Sequence, residues 1–255
     1  MNLEQFEDSI KRLFHHDLLE KLNDDFGFTN RSNNTISVIG YSTNLSIEII
    51  EKAAENNVDL LLTHHDAWDF VYGLREECIK KLIEHNISHF WIHGPLDYID
   101  FGTCTSLMDK LGVDELLKPS FFTDEGETPG LGEFKVPVGF DVLVDKMSNE
   151  LCEPIRAWRN NDKEIKRVGL LTGAGHATNH LKTAFDEGCD TYITGEATLY
   201  TIQYAQFAGI NLLVGSHTYT EIFGVESLAR KIQDLNEDIK NVRLDESHFE
   251  LGPNE

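Results

Sequence analysis

Residues 58–66 read VDLLLTHHD. The apolar run is continuous, not alternating, and it is short. That pattern marks a strand buried on both faces, as in a mainly parallel sheet. In open α/β sheets, ligands bind beyond the carboxyl ends of the strands. His64 and His65 stand at that end. One stretch thus sets the expected fold class, α/β, and the place where chemistry would occur.

Working outward from it, the chain alternates. Ser46 is expected to cap a helix over 47–56, closed by Asn57. Before it, TISVIG (35–40) reads as a strand, and the spacing of Leu3, Phe6, Ile10, Leu13, Phe14, Leu18 and Leu22 predicts one amphipathic helix over 3–22. After it come a helix over about 74–85, a strand SHFWI (88–92) and a helix over about 101–111. Prolines and glycines crowd 119–139, which suggests a boundary or long connection at about 118–130. Alternation resumes with strands at 167–171, 190–194 and 211–214, helices at about 178–187, 197–208 and 222–234, and a final strand at 240–246. The terminal GPNE is expected to fray.

Composition excludes several classes. Asp and Glu number 44 against 22 Lys and Arg, a formal charge of −22. Such a surface repels phosphate backbones, so nucleic acid is disfavoured as the main partner. No apolar run approaches the roughly 18 residues of a membrane span. The N-terminus, MNLEQFEDSIKR, is acidic and amphipathic, unlike a secretory signal. A cytoplasmic location is expected. Cys78, Cys104, Cys152 and Cys189 form no CxxC pair and are expected to be buried thiols.

Three strand-end motifs carry candidate ligands. The doublet His64–His65 supplies imidazole nitrogens suited to a borderline metal. WIHGPLD (91–97) ends in Asp97, stiffened by Pro95, with His93 either behind the ligands or a core histidine. GSHTYTE (215–221) places His217 and Glu221 four apart, on one face if helical. Three His, one Asp and one Glu exceed the needs of one tetrahedral ion, and carboxylates bridge, so two metals fit better. Unrelated polar loops are the bland alternative.

Other motifs are weaker. TGAGH (172–176) is either a phosphate-holding turn or a tight strand–helix junction, and His176 is a candidate for substrate contact or proton transfer. Glu196, in TGEATLY, is a candidate general base or a helix cap. His180, one helical turn beyond His176, is a weaker candidate for the same role; His15 and His16 are read as surface residues, and none of His15, His16, His85, His89 and His248 is read as a ligand.

The pieces THHDAW, HGPLD, TGAGH, TGEATLY and GSHTYTEIFG closely resemble, in order and over nearly the whole chain, the NIF3-like family of dinuclear metal centre proteins. Some members carry the label GTP cyclohydrolase I type 2. The chain looks like the short form, without the inserted domain. The resemblance implies two similar, interlocked α/β domains with central mixed sheets flanked by helices. The first would span 1–125, completed by about 215–255, and the second 126–214, with the site in the crevice between them. It implies that His64, His65, Asp97, His217 and Glu221 hold two divalent ions per subunit, of zinc, iron, manganese, nickel or cobalt. It implies a homohexameric toroid, a trimer of dimers. The implied activity is metal-dependent hydrolysis of a small nucleotide-like or phosphoester substrate, with Glu196 and His176 as catalytic candidates. The alternative is a non-catalytic metal-binding, metal-delivery or scaffold protein. One departure is Asp66, where members often place Gly or Pro after the doublet.

Overall fold

In the computed structural model, residues 1–32, 34–123, 126–248 and 250 are described. The expectation for the terminal GPNE lies outside them. The elements, in chain order, begin with α1 (Leu3–Leu13), α2 (His16–Lys21), β1 (Phe26–Asn30), β2 (Val38–Asn44), α3 (Ile47–Glu55), β3 (Leu60–His65), α4 (Leu74–Glu84) and β4 (Ser88–Ile92). A single turn, α5 (Gly94–Asp97), precedes α6 (Thr103–Leu111), β5 (Glu115–Lys118), β6 (Phe121–Thr123), β7 (Gly126–Thr128), β8 (Gly130–Val138), α7 (Phe140–Leu151) and β9 (Arg156–Trp158). The rest are β10 (Ile165–Leu171), α8 (Thr178–Asp186), β11 (Thr191–Thr194), α9 (Leu199–Ala208), β12 (Asn211–Val214), α10 (His217–Leu235) and β13 (Lys240–Arg243).

These elements form two compact units that interleave in sequence. One comprises Met1–Leu96 and Val225–Ser247, the other Asp97–Gly224 and the segment from His248. Both are α/β.

The first unit is built on a five-stranded sheet, ordered β1-β4-β3-β2-β13. Its strands are parallel except β1, which runs antiparallel to β4 at one edge. Leu60, Leu61 and Leu62 are each 0% exposed, which is why the apolar run does not alternate. Each such leucine contributes roughly 1.5–3 kcal/mol by leaving water. Leu61 packs with Ile49, Ile50 and Ala53 of α3 and with Cys78 and Leu82 of α4. Ser46 caps α3 as expected, its hydroxyl accepting from the Ile49 amide at 3.2 Å. The expected single helix over 3–22 is instead α1 and α2. Phe14 adopts an extended backbone (φ −102°, ψ 142°) and is buried, so core packing of its ring ends the first helix.

The second unit has a six-stranded sheet, ordered β5-β8-β10-β11-β12-β9. Its centre, β10-β11-β12, is parallel, and its outer strands are antiparallel. The glycine- and proline-rich stretch forms the β6–β7 hairpin and the start of β8 within this unit. Cys78, Cys104 and Cys189 are buried as expected, but Cys152 is exposed. It occupies the left-handed C-cap of α7 (φ 54°), where the chain turns outward.

No helix among the described residues is long and apolar enough to cross a membrane.

Candidate metal centre

The first unit contributes imidazoles. His64 and His65 are the last two residues of β3, and both are buried. His93 follows the end of the neighbouring parallel strand β4. The three rings lie 4.6–5.3 Å apart between centroids. Each offers a ligand nitrogen within 4.8 Å of the others.

Hydrogen bonds decide which nitrogen is presented. His64 Nδ1 lies 2.9 Å from the Ile92 carbonyl oxygen, which only accepts, so Nδ1 carries the proton. His65 Nδ1 lies 2.7 Å from Asn44 Oδ1. The Asn44 amide cannot be flipped, because its Nδ2 donates to Glu246 Oε2 at 2.7 Å. His65 therefore also donates from Nδ1. Glu246 is itself anchored by Ser42 Oγ (2.7 Å) and the backbone amides of Thr43 (3.0 Å) and Asn44 (2.9 Å). Burial pushes its carboxyl above the usual range, and these donors pull against that shift. In both doublet histidines Nδ1 is held by an acceptor, the usual support of a metal-bound imidazole, which fixes the ring's orientation.

Asp66, the departure noted above, is explained by packing. It is 3% exposed, ion-paired to Arg75, and accepts from Thr29 Oγ1 at 2.7 Å and the Ala67 amide at 2.9 Å. It fastens the chain just after the doublet to β1 and α4.

The second unit contributes carboxylates and one imidazole. The parallel strands β10, β11 and β12 end at Leu171, Thr194 and Val214. The turns that follow bring Gly173, Glu196 and His217 together. Helix α10 begins at His217, five residues earlier than the expected 222, so His217 and Glu221 share its first turn. His217 Nε2 is 3.4 Å from Glu221 Oε2, and its Nδ1 is 2.7 Å from Glu196 Oε1. Glu196 Oε2 is 3.1 Å from His176 Nδ1. Burial opposes protonation of His217, but the Glu221 charge and the bonds from Glu196 and Glu221 outweigh it and carry the imidazole up to about 11. The Glu196 carboxyl falls below its ordinary value, chiefly through the His217 hydrogen bond.

TGAGH forms the turn from β10 into α8. Gly173 has φ +57°, and a Cβ there would strike the Glu221 carboxylate and approach His217 Nε2 to 2.8 Å. Its amide donates to Thr220 Oγ1 at 3.0 Å. The tight-junction reading accounts for this turn: glycine makes the room in which His217 and Glu221 stand. Asp97 is oriented by a hydroxyl chain. Thr172 Oγ1 donates to Thr103 Oγ1 at 2.9 Å, which donates to Asp97 Oδ1 at 2.8 Å.

Each unit therefore holds candidate ligands with anchored rings or oriented carboxylates: Nδ1-anchored imidazoles in one, and two carboxylates with an Nδ1-anchored imidazole in the other. This donor set fits divalent borderline ions. Sequence reasoning missed Asn44, Glu246, Thr103 and Thr172. Only Asn44 had a signal. It is the residue opposite His65 in the register, visible only when β2 is extended past Gly40.

The family model Duf34/NIF3 (NGG1p interacting factor 3) matches residues 1–250. A Neisseria meningitidis protein named GTP cyclohydrolase 1 type 2 homolog is 30% identical over 210 residues, 78% of this chain and 80% of that one. A Haemophilus influenzae protein of the same name is 28% identical over 191 residues, 71% of this chain and 73% of that one. Among solved structures, TTHA1606 from Thermus thermophilus superposes with TM-score 0.80 at 20% identity, covering 98% of this chain and 100% of that one. Reduced HcgD from Methanocaldococcus jannaschii gives TM-score 0.77 at 22% identity, covering 96% and 98%. With its fold, its strand-end histidines and the family model in accord, the chain belongs to the DUF34/NIF3 family.

Proposed function

We propose that the chain holds a pair of divalent metal ions through His64, His65, Asp97, His217 and Glu221, and hydrolyses a small nucleotide-like or phosphoester substrate. The observation that carries this reading is the anchoring of the histidines. His64, His65 and His217 each commit Nδ1 to an acceptor, which fixes the ring. Chance polar loops have no reason to share that arrangement. When bound, such a pair of ions supplies a nucleophilic hydroxide at neutral pH and neutralises charge on the reacting group. The protein's part is to hold the ligands and manage protons beside them. Glu196 orients His217, and His176, paired to Glu196 and partly exposed, stands where it can meet substrate. The names of the curated relatives favour a purine nucleotide as the substrate class. In this reading the protein works in the cytoplasm as a hexameric toroid, and its acidic surface keeps nucleic acid away.

The test is metal analysis of purified protein, followed by assay against nucleotide, phosphoester and peptide panels with each candidate metal. Metal-dependent turnover that is lost in His64→Ala is expected. Fully loaded protein that turns over nothing would overturn the hydrolase reading. A metal-binding protein without turnover is the second reading, and one observation favours it. Glu196 spends its oxygens on His217 and His176, as a carboxylate does whose task is to hold ligands.

A further inference from the structure

Apart from the metal centre, we infer that the free edge of β1 and the cavity beside it form a docking groove for an extended, basic segment of a partner protein. The groove lies in the first unit and shares no residue with the candidate ligands.

Sheet edges present unpaired backbone N–H and C=O groups, and native chains guard them with charge, proline or a covering element. Four strands form the edges of the two large sheets: β1, β13, β5 and β9. β13 carries Lys240 and Arg243, β5 carries Glu115 and Lys118, and β9 carries Arg156. β1, with the sequence FGFTN, has neither charge nor proline. β4 lies along one side of it, and no strand among the described residues lies along the other. Its register slips only between Phe28 and Asn30, so Phe26–Phe28 is a regular template for one more strand.

A cavity of about 430 Å³ opens beside this strand. Phe26 and Phe28 share one face of the sheet and, with Phe90, Ile10 and Leu19, give the cavity an apolar wall. Gly27, between them, also lines it, so the cavity reaches the backbone of β1. A Cβ on Gly27 would meet nothing within 4 Å, so the strand is uncovered there as well. A chain pairing with β1 would set alternate side chains on the cavity's face, and a wall of phenyl rings favours an aromatic one. Charge selects the partner. The cations at the rim are already matched: Arg31 by Glu7 at 2.6 Å, Lys11 by Asp8 at 4.0 Å, and His16 by Glu20 at 3.6 Å and Asp17 at 3.8 Å. Residues 1–31 hold seven acidic side chains against four Lys and Arg, in a chain of formal charge −22. Such a rim attracts and orients a basic segment. A second copy would bring its own acidic rim to the same place.

The test titrates the full, isotope-labelled chain with two blocked pentapeptides, Lys-Thr-Phe-Thr-Lys and Glu-Thr-Phe-Thr-Glu, followed by backbone amide NMR. In a strand the two end residues and the Phe share one face, so Phe can enter the cavity while the charges meet the rim. The Lys peptide is expected to shift the amides of β1, slow their exchange, and bind roughly 2–30-fold more tightly than the Glu peptide, the span of two exposed ion pairs. Leu19→Asp, in the cavity wall, should abolish the shifts. Glu20→Lys, on the exposed rim, should narrow the gap between the peptides. No saturable shift with either peptide at millimolar concentration, equal affinity for both, or shifts confined to residues away from β1 and the cavity would overturn the proposal. So would β1 amides that are protected in the free chain and lose protection on dilution, which marks a second copy on the edge.

Discussion

Asn44 Oδ1 accepts the Nδ1 proton of His65 at 2.7 Å, and the same amide donates to the buried Glu246 carboxylate at 2.7 Å. The relay fixes both the tautomer and the ring plane of His65. Asn44→Ala frees the ring, and metal affinity should fall roughly 10–100-fold. Ser42→Ala removes another donor to Glu246 and leaves the relay intact, so it should bind metal as the wild type does. Competition with a chelator measures both, and long-range nitrogen NMR of the metal-free protein reads the His65 tautomer. A proton on Nε2 there contradicts the assignment.

His217 gives a second prediction. Held between Glu196 and Glu221, it stays protonated until pH approaches about 11. A metal ion needs the neutral ring, so it must displace that proton. Loading at pH 7–8 should therefore release about one proton from this residue. Calorimetry in buffers of different ionisation enthalpy counts it. Glu196→Gln removes one carboxylate charge and should lower the pH above which this release fades. An identical pH profile of the count in the wild type and the variant would contradict the pairing.

How much of this was legible in the sequence follows from its physics. Buried parallel strands have a one-dimensional signature, and VDLLLT, SHFWI and NLLV all became strands close to their expected bounds. Strand ends then pointed to His64, His65, Asp97 and His217. What supports those ligands was not legible. Glu246 reaches Asn44 across 202 positions, and Thr172 reaches Thr103 across 69. Such contacts follow from register and helix placement, which no local pattern encodes. The edge strand β1 was missed for a related reason. FGFTN is partly buried at every position, so it shows neither a continuous apolar run nor clear alternation.

Gly173 separates backbone strain from site geometry. Alanine there must adopt φ +57° and also place Cβ against Glu221 and His217. Gly188 also has a positive φ (+80°), but its Cβ would meet nothing nearer than Arg167 at 3.8 Å. Both Gly→Ala variants should lose about 1–2 kcal/mol from the left-handed conformation. Only Gly173→Ala should also lose metal affinity. Denaturant melts and metal titrations of the pair distinguish the two costs, and a Gly188→Ala variant equally impaired in metal binding would refute the argument.

His89 sets an acid limit on the fold. It is completely buried beside Thr63, and Thr63 Oγ1 donates to the His65 carbonyl, so His89 Nε2 donates to Thr63. Burial, aided by the Arg75 charge, lowers its pKa from 6.5 to about 3. The unfolded chain takes up this proton near pH 6.5, whereas the folded chain resists it until about pH 3. The neutral ring's contribution is thus complete above pH 6.5 and is lost as pH falls toward 3. The loss is on the order of 4 kcal/mol across that window. His89→Gln keeps a donor for Thr63 and removes the titration. Its stability should fall less steeply between pH 6.5 and 4 in urea melts of the metal-free protein. Parallel curves for variant and wild type would show that His89 carries none of the acid sensitivity.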